Sequence, residues 1–95
     1  MDLIRDMAAP LEHPSYIGHF PDRPVLPGVV LLDLITEAIG LGAPRAITST
    51  KFHRALKPGD GFVLHWKIAG PSVSFRCERD AEMIAEGRLE FGAPR

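Results

Sequence analysis

A histidine, a helix start with no capping side chain and an aspartate fall within fifteen residues of this sequence, between His19 and Asp33. Each can do a different piece of chemistry. A neutral imidazole takes up a proton near pH 7. A carboxyl can give one. Backbone N–H groups at the positive end of a helix can hold an oxyanion or a polarised carbonyl. The three together make a candidate base, oxyanion site and acid.

The element that must position them is the apolar helix following Pro27. Proline fits the first helical turn, because its missing N–H would have no partner there. Val29, Val30, Leu31, Leu32, Leu34, Ile35, Ala38, Ile39 and Leu41 cover nearly every direction around the axis, so burial on most sides is expected. The polar positions Asp33, Thr36 and Glu37 are three and four residues apart and share one face. An ionised Asp is costly to bury unless paired, so Asp33 is singled out as functional. Gly40 and Gly42 supply a stop. No Ser, Thr, Asp or Asn stands just before Pro27, which leaves the N–H groups of Gly28 and Val29 as candidate donors. The helix is shorter than the ~20 residues that cross a bilayer, so no membrane span is expected.

The run Gly-His-Phe-Pro-x-Arg-Pro-x-x-Pro-Gly-Val, residues 18–29, followed by an apolar helix resembles the 3-hydroxyacyl-ACP dehydratases of the FabA and FabZ types. Lys51-Phe52-His53-Arg54 and Pro58-Gly59-Asp60 extend the likeness more weakly. The resemblance implies an α+β hotdog, a curved antiparallel sheet wrapped around one central helix. It implies His19 as base, the Gly28 N–H as donor to the thioester carbonyl, with Val29 a second donor, and Asp33 as acid. It implies an acyl carrier protein as partner and no metal or redox cofactor, the phosphopantetheine arriving on the substrate. It also implies a homodimer whose sites take His19 from one chain and Asp33 from the other. Asp22 stands where the family usually has Gly, and Glu37 where Gln is common. Small hotdog dehydratases of specialised pathways, such as aryl-polyene synthesis, are similar in their compact chain and Asp acid.

The rest of the chain fits one domain of 95 residues. A domain of this size buries only roughly 60–65% of its unfolded surface, so dimerisation is the natural way to cover the helix. Residues 2–9 suggest a first strand or edge segment, and 10–18 a loop. Residues 45–56, 62–69, 72–79 and 82–91 read as strands, with turns at Pro58-Gly59, Gly70-Pro71 and Arg79-Asp80-Ala81. In 72–79, Val73, Phe75 and Cys77 alternate with polar residues, the pattern of a half-buried strand. One helix followed by strands in hairpin order is an α+β pattern.

The net charge of −1 argues against nucleic-acid binding, and the single Cys77 fits a reducing compartment. No basic segment precedes an apolar run, so a cytoplasmic location is expected. His13 and His19 match no common metal spacing. His53 and His65 are expected to be structural, and Trp66 and Phe75 to belong to the core. Arg45, Lys51, Arg54 and Lys57 can form a docking patch for an acidic carrier or simply a solvated strand edge. Two other functions stand beside dehydration: a hotdog thioesterase, and a non-catalytic acyl-binding or partner subunit.

Overall fold

The computed structural model describes residues 2–14 and 25–92, so His19 and the rest of the His-Phe-Pro turn, with Asp22, lie outside the described residues. The elements are β1 (Asp2–Ala8), α1 (Gly28–Ile39), β2 (Ala46–Phe52), β3 (Gly61–Ala69), β4 (Ser72–Arg79) and β5 (Glu82–Glu90). All five strands join one antiparallel sheet in the order β1-β3-β4-β5-β2. One helix against a curved five-stranded antiparallel sheet is the hotdog arrangement the resemblance implied.

Alternation along the strands builds the core. Phe62 and Leu64 of β3, and Val73, Phe75 and Cys77 of β4, are buried on one face, while Ser74 and Arg76 are exposed on the other. Leu31, Ile35 and Ile39 of α1 join that core at intervals of four residues, the spacing of one helical stripe. The helix ends where expected. Gly40 adopts φ 77°, a left-handed cap that suits Gly, and its N–H bonds the Thr36 carbonyl.

The expectation that α1 is buried on most sides is corrected. Val30, Leu32, Leu34 and Ala38 are only partly buried, and Val29 is 72% exposed. A single small sheet covers one side of a helix, and the opposite side keeps the solvent. Val29, Asp33 and Glu37, one turn apart, make an exposed stripe on it.

The strand expected over 45–56 stops at Phe52. Beyond it the chain turns inward, because Leu56 is buried and its carbonyl accepts the Leu26 N–H at 2.8 Å. A register shift between β4 and β5 at Cys77/Glu78 leaves Ile84 between paired positions. The Ile84 carbonyl accepts both the His53 and the Arg54 N–H, at 2.8 and 3.2 Å. An irregularity in one strand thus re-aims the residues following another, a common use of bulges. At the β4–β5 turn, Asp80 and Ala81 both take positive φ, 53° and 64°. That is the pattern of a tight primed hairpin turn.

Two predictions test this packing. A methyl group at Gly87 would stand 2.5 Å from the Ser49 carbonyl oxygen and 2.8 Å from ring carbons of Phe75. Gly87→Ala is expected to cost about 1–3 kcal/mol, read as a lower urea midpoint at an unchanged slope. Cys77 is fully buried, and burial pushes its thiol up from 9.0 to about 12. The folded protein is expected to resist iodoacetamide at about pH 8 and react only as fast as it opens, because the thiolate is the nucleophile. Above pH 9.0 the unfolded chain ionises this thiol first, so its contribution to stability falls as pH rises toward 12.

Candidate active site at the helix start

The first turn of α1 opens onto a cleft of about 510 Å³ lined by Leu26, Gly28, Val29, Leu31, Phe52 and the loop 53–56. Backbone bonds among the described residues order the helix start. The Leu26–Leu56 backbone bond ties it to the loop, and the Leu31 N–H bonds the Pro27 carbonyl at 3.1 Å, closing the first helical turn. Among the described residues no side chain caps the helix. The N–H groups of Gly28 and Val29 precede that first intrahelical donor, and the positive end of the helix dipole favours an acceptor carrying negative charge.

Gly28 is a glycine for a steric reason. A Cβ there would lie 2.7, 2.9 and 3.0 Å from the Cζ, Cε2 and Cε1 atoms of Phe52. The phenyl ring therefore packs directly on the backbone of the first turn. It remains 50% exposed, at the last position of the edge strand β2.

Asp33 sits five residues along α1 from Gly28, about 7.5 Å along the axis. Its carboxyl is on the exposed stripe between Val29 and Glu37, while its backbone carbonyl accepts the Thr36 hydroxyl at 3.0 Å. Asp33 and Gly28 thus share one helix. His19 lies outside the described residues, so its distance to either has no place in this geometry.

Two further residues line the cleft: Phe52, to which the sequence reading gave no role, and His53, which it expected to be structural. Their signal was the Lys51-Phe52-His53-Arg54 run. His53 Nε2 lies 2.8 Å from Glu86, and Arg54 pairs with Glu82 at 2.5 Å. Both pairs are well exposed, so each holds a side chain in place more than it stabilises the fold.

The four candidate docking cations do not form one patch. Arg45 precedes β2 and bonds the Glu90 carbonyl, whereas Arg54 follows the other end of the strand. Lys51 stands opposite Glu86 on β5, and Lys57 follows the cleft loop, its N–H bonded to the Asp60 carboxylate at 2.9 Å. An extended strand of this length sets its two ends roughly 20 Å apart.

A wider concavity of about 930 Å³ is lined chiefly by polar residues of the exposed sheet face, among them Lys51, His65, Lys67, Arg76, Glu86 and Arg88. Arg76 is opposite Glu86 and Asp2 opposite Lys67, so much of its charge is matched across the strands. It lacks the helix start that opens onto the smaller cleft. Among the described residues no cluster of His, Cys, Asp or Glu can hold a metal ion. None of their helices is long and apolar enough to cross a membrane.

Comparison with known proteins gives consistent results. The family described as "ApeI-like: ApeI dehydratase" matches residues 2–88. The 3-hydroxyacyl-[acyl-carrier-protein] dehydratase FabZ of Chlamydia abortus is 30% identical over 85% of this chain and 65% of that protein. The chain therefore spans about 65% of the length of such curated relatives. The dehydratase heterocomplex ApeI:P from Xenorhabdus doucetiae has a chain superposing with a TM-score of 0.80 at 25% identity, covering 94% of this chain and 85% of that one. The fluoroacetyl-CoA-specific thioesterase FlK shares the fold alone, at a TM-score of 0.62 and 17% identity over 95% of this chain and 82% of that one. By the match over residues 2–88, the chain belongs to the ApeI-like dehydratase family.

Proposed function

We propose that this protein dehydrates 3-hydroxyacyl thioesters, carried on acyl carrier protein, to trans-2-enoyl thioesters. The observation that carries the reading is the start of α1, which no described side chain caps, with side-chain-free Gly28 opening onto a cleft and Asp33 on the same helix. The dehydratase names of its relatives support it.

The mechanism follows from what elimination needs. The C2 proton of a thioester is weakly acidic, so negative charge building on the carbonyl oxygen must be stabilised. The Gly28 N–H does this, with Val29 as a second donor. The His19 imidazole takes the C2 proton. The C2 electron pair forms the C2–C3 double bond as the C3–O bond breaks. Asp33 gives a proton to the departing hydroxyl, which leaves as water. The proton gained by His19 then restores Asp33, by way of solvent, and the cycle closes. No step draws on a redox or metal group, and the phosphopantetheine arm comes with the substrate.

The single chain leaves this machinery half covered. Val29, Asp33 and Glu37 face solvent, and Ile47 on the edge strand β2 is about half exposed. We therefore assign a homodimer in which each site pairs His19 of one chain with Asp33 of the other. Arg54 and Lys57, at the cleft end of β2, are the cations placed to meet an acidic carrier.

The test is product analysis on a panel of 3-hydroxyacyl-pantetheine and carrier-bound thioesters. Enoyl thioester is expected; free acid would favour a thioesterase, and unchanged substrate a binding or partner subunit. His19→Ala is expected to lower the rate by about 10²–10⁴. Asp33→Asn should abolish most activity with little change in stability, while Asp33→Glu retains part. Mixing His19→Ala and Asp33→Ala chains should restore roughly a quarter of wild-type activity. Random pairing makes half the dimers mixed, and each of these has one complete site. No recovery after subunit exchange, verified by native mass spectrometry, would place the site within one chain.

A further inference from the structure

We infer that the phenyl ring of Phe52 is the wall that sets how much substitution the enzyme tolerates at C2 of the acyl group. This rests on the dehydratase reading above and adds a specificity-determining residue to it.

The ring fills the space where any side chain at position 28 would begin, with carbon atoms 2.7–3.0 Å from that Cβ position. It lines the same cleft as the Gly28 and Val29 backbone and remains half exposed, so one side is free to meet a ligand. A carbonyl oxygen accepting the Gly28 N–H lies less than about 9 Å from the ring edge, given the lengths of the bonds between them. C2, two bonds from that oxygen, and a methyl branch on it fall within that reach.

The cleft also has a polarity. Leu26, Leu31 and Leu56 are buried. His53 and Arg54, which follow Phe52, are exposed and tied back to Glu86 and Glu82 on β5. Phe52 is the last apolar side chain before that polar rim. The carbonyl carbon of a thioester bears sulfur on one side and C2 on the other. Sulfur leads to the long amide-containing arm, which suits the rim. C2 then stays on the apolar side, against the ring. Replacing a C2 hydrogen by methyl asks for volume the ring already occupies, and packed side chains yield space only at a cost.

The experiment compares kcat/KM for 3-hydroxybutyryl and 2-methyl-3-hydroxybutyryl carrier thioesters, with both C2 configurations of the latter. Wild type, Phe52→Leu and Phe52→Met are measured. The wild type should prefer the unbranched substrate by about 10–100-fold, the scale on which one methylene is discriminated in an apolar pocket. Phe52→Leu should shrink the preference to about threefold or less, with Phe52→Met between. Partial unfolding lowers both rates together and leaves the ratio unchanged, so a purely structural role cannot produce this shift. A wild-type ratio near one, or a ratio unmoved in both variants, overturns the inference while leaving the dehydratase reading intact. If the wild type forms no enoyl product from either substrate, the dehydratase reading falls and this inference falls with it.

Discussion

The packing of one helical stripe on one sheet face is the constraint on which the other features depend. Leu31, Ile35 and Ile39 of α1 meet Leu64, Val73, Cys77 and Leu89 in a continuous core, with Ile35 and four of its sheet partners at or below 2% exposure. Burying a side chain of this kind stabilises the fold by about 1.5–3 kcal/mol. The stripe fixes the rotation of the helix about its axis. Once that rotation is set, Val29, Asp33 and Glu37 must point away from the sheet, and Gly28 must present its backbone to the end of β2.

The ends of the helix are held differently. At its C-terminus the chain needs only the left-handed Gly40 to close the last turn. At its N-terminus no described residue supplies a capping side chain, and the restraint comes from elsewhere in the fold. The Leu26–Leu56 backbone bond and the Phe52 ring on Gly28 hold the first turn against the loop after β2. That loop is held in turn by the Ile84 carbonyl. A chain of contacts from a β5 irregularity to the helix start therefore positions donors that a local cap would have consumed. Leaving N–H groups without a local partner costs stability, and the surrounding packing offsets it.

Cover is the second consequence of small size. A domain of this length has too little sheet to wrap its helix on every side. The apolar residues left at the surface, Val29 on the helix and Ile47 on the edge strand, lie beside the cleft and along β2. The proposed dimer uses the same shortage twice. It buries surface that one chain cannot, and it brings the proposed base to the proposed acid.

Sequence alone determined the helix, its stop at Gly40, the shared face of Asp33 and Glu37, and the half-buried alternation of β4. These follow from periodicities of 3.6 and 2 and from the backbone freedom of glycine, all local properties. The motif likeness supplied the fold class, which periodicity had narrowed only to α+β. Tertiary structure decided how much of the helix is covered, because the polar face of Asp33 and Glu37 marks the exposed side but not how far one small sheet reaches around the apolar remainder. It decided that Phe52 lies on Gly28 and that Arg45 and Arg54 stand at opposite ends of one strand. It also decided that Ile84 falls at a register shift. Such facts depend on the pairing of segments far apart in the chain, and pairing is fixed only when the whole sheet closes over the helix.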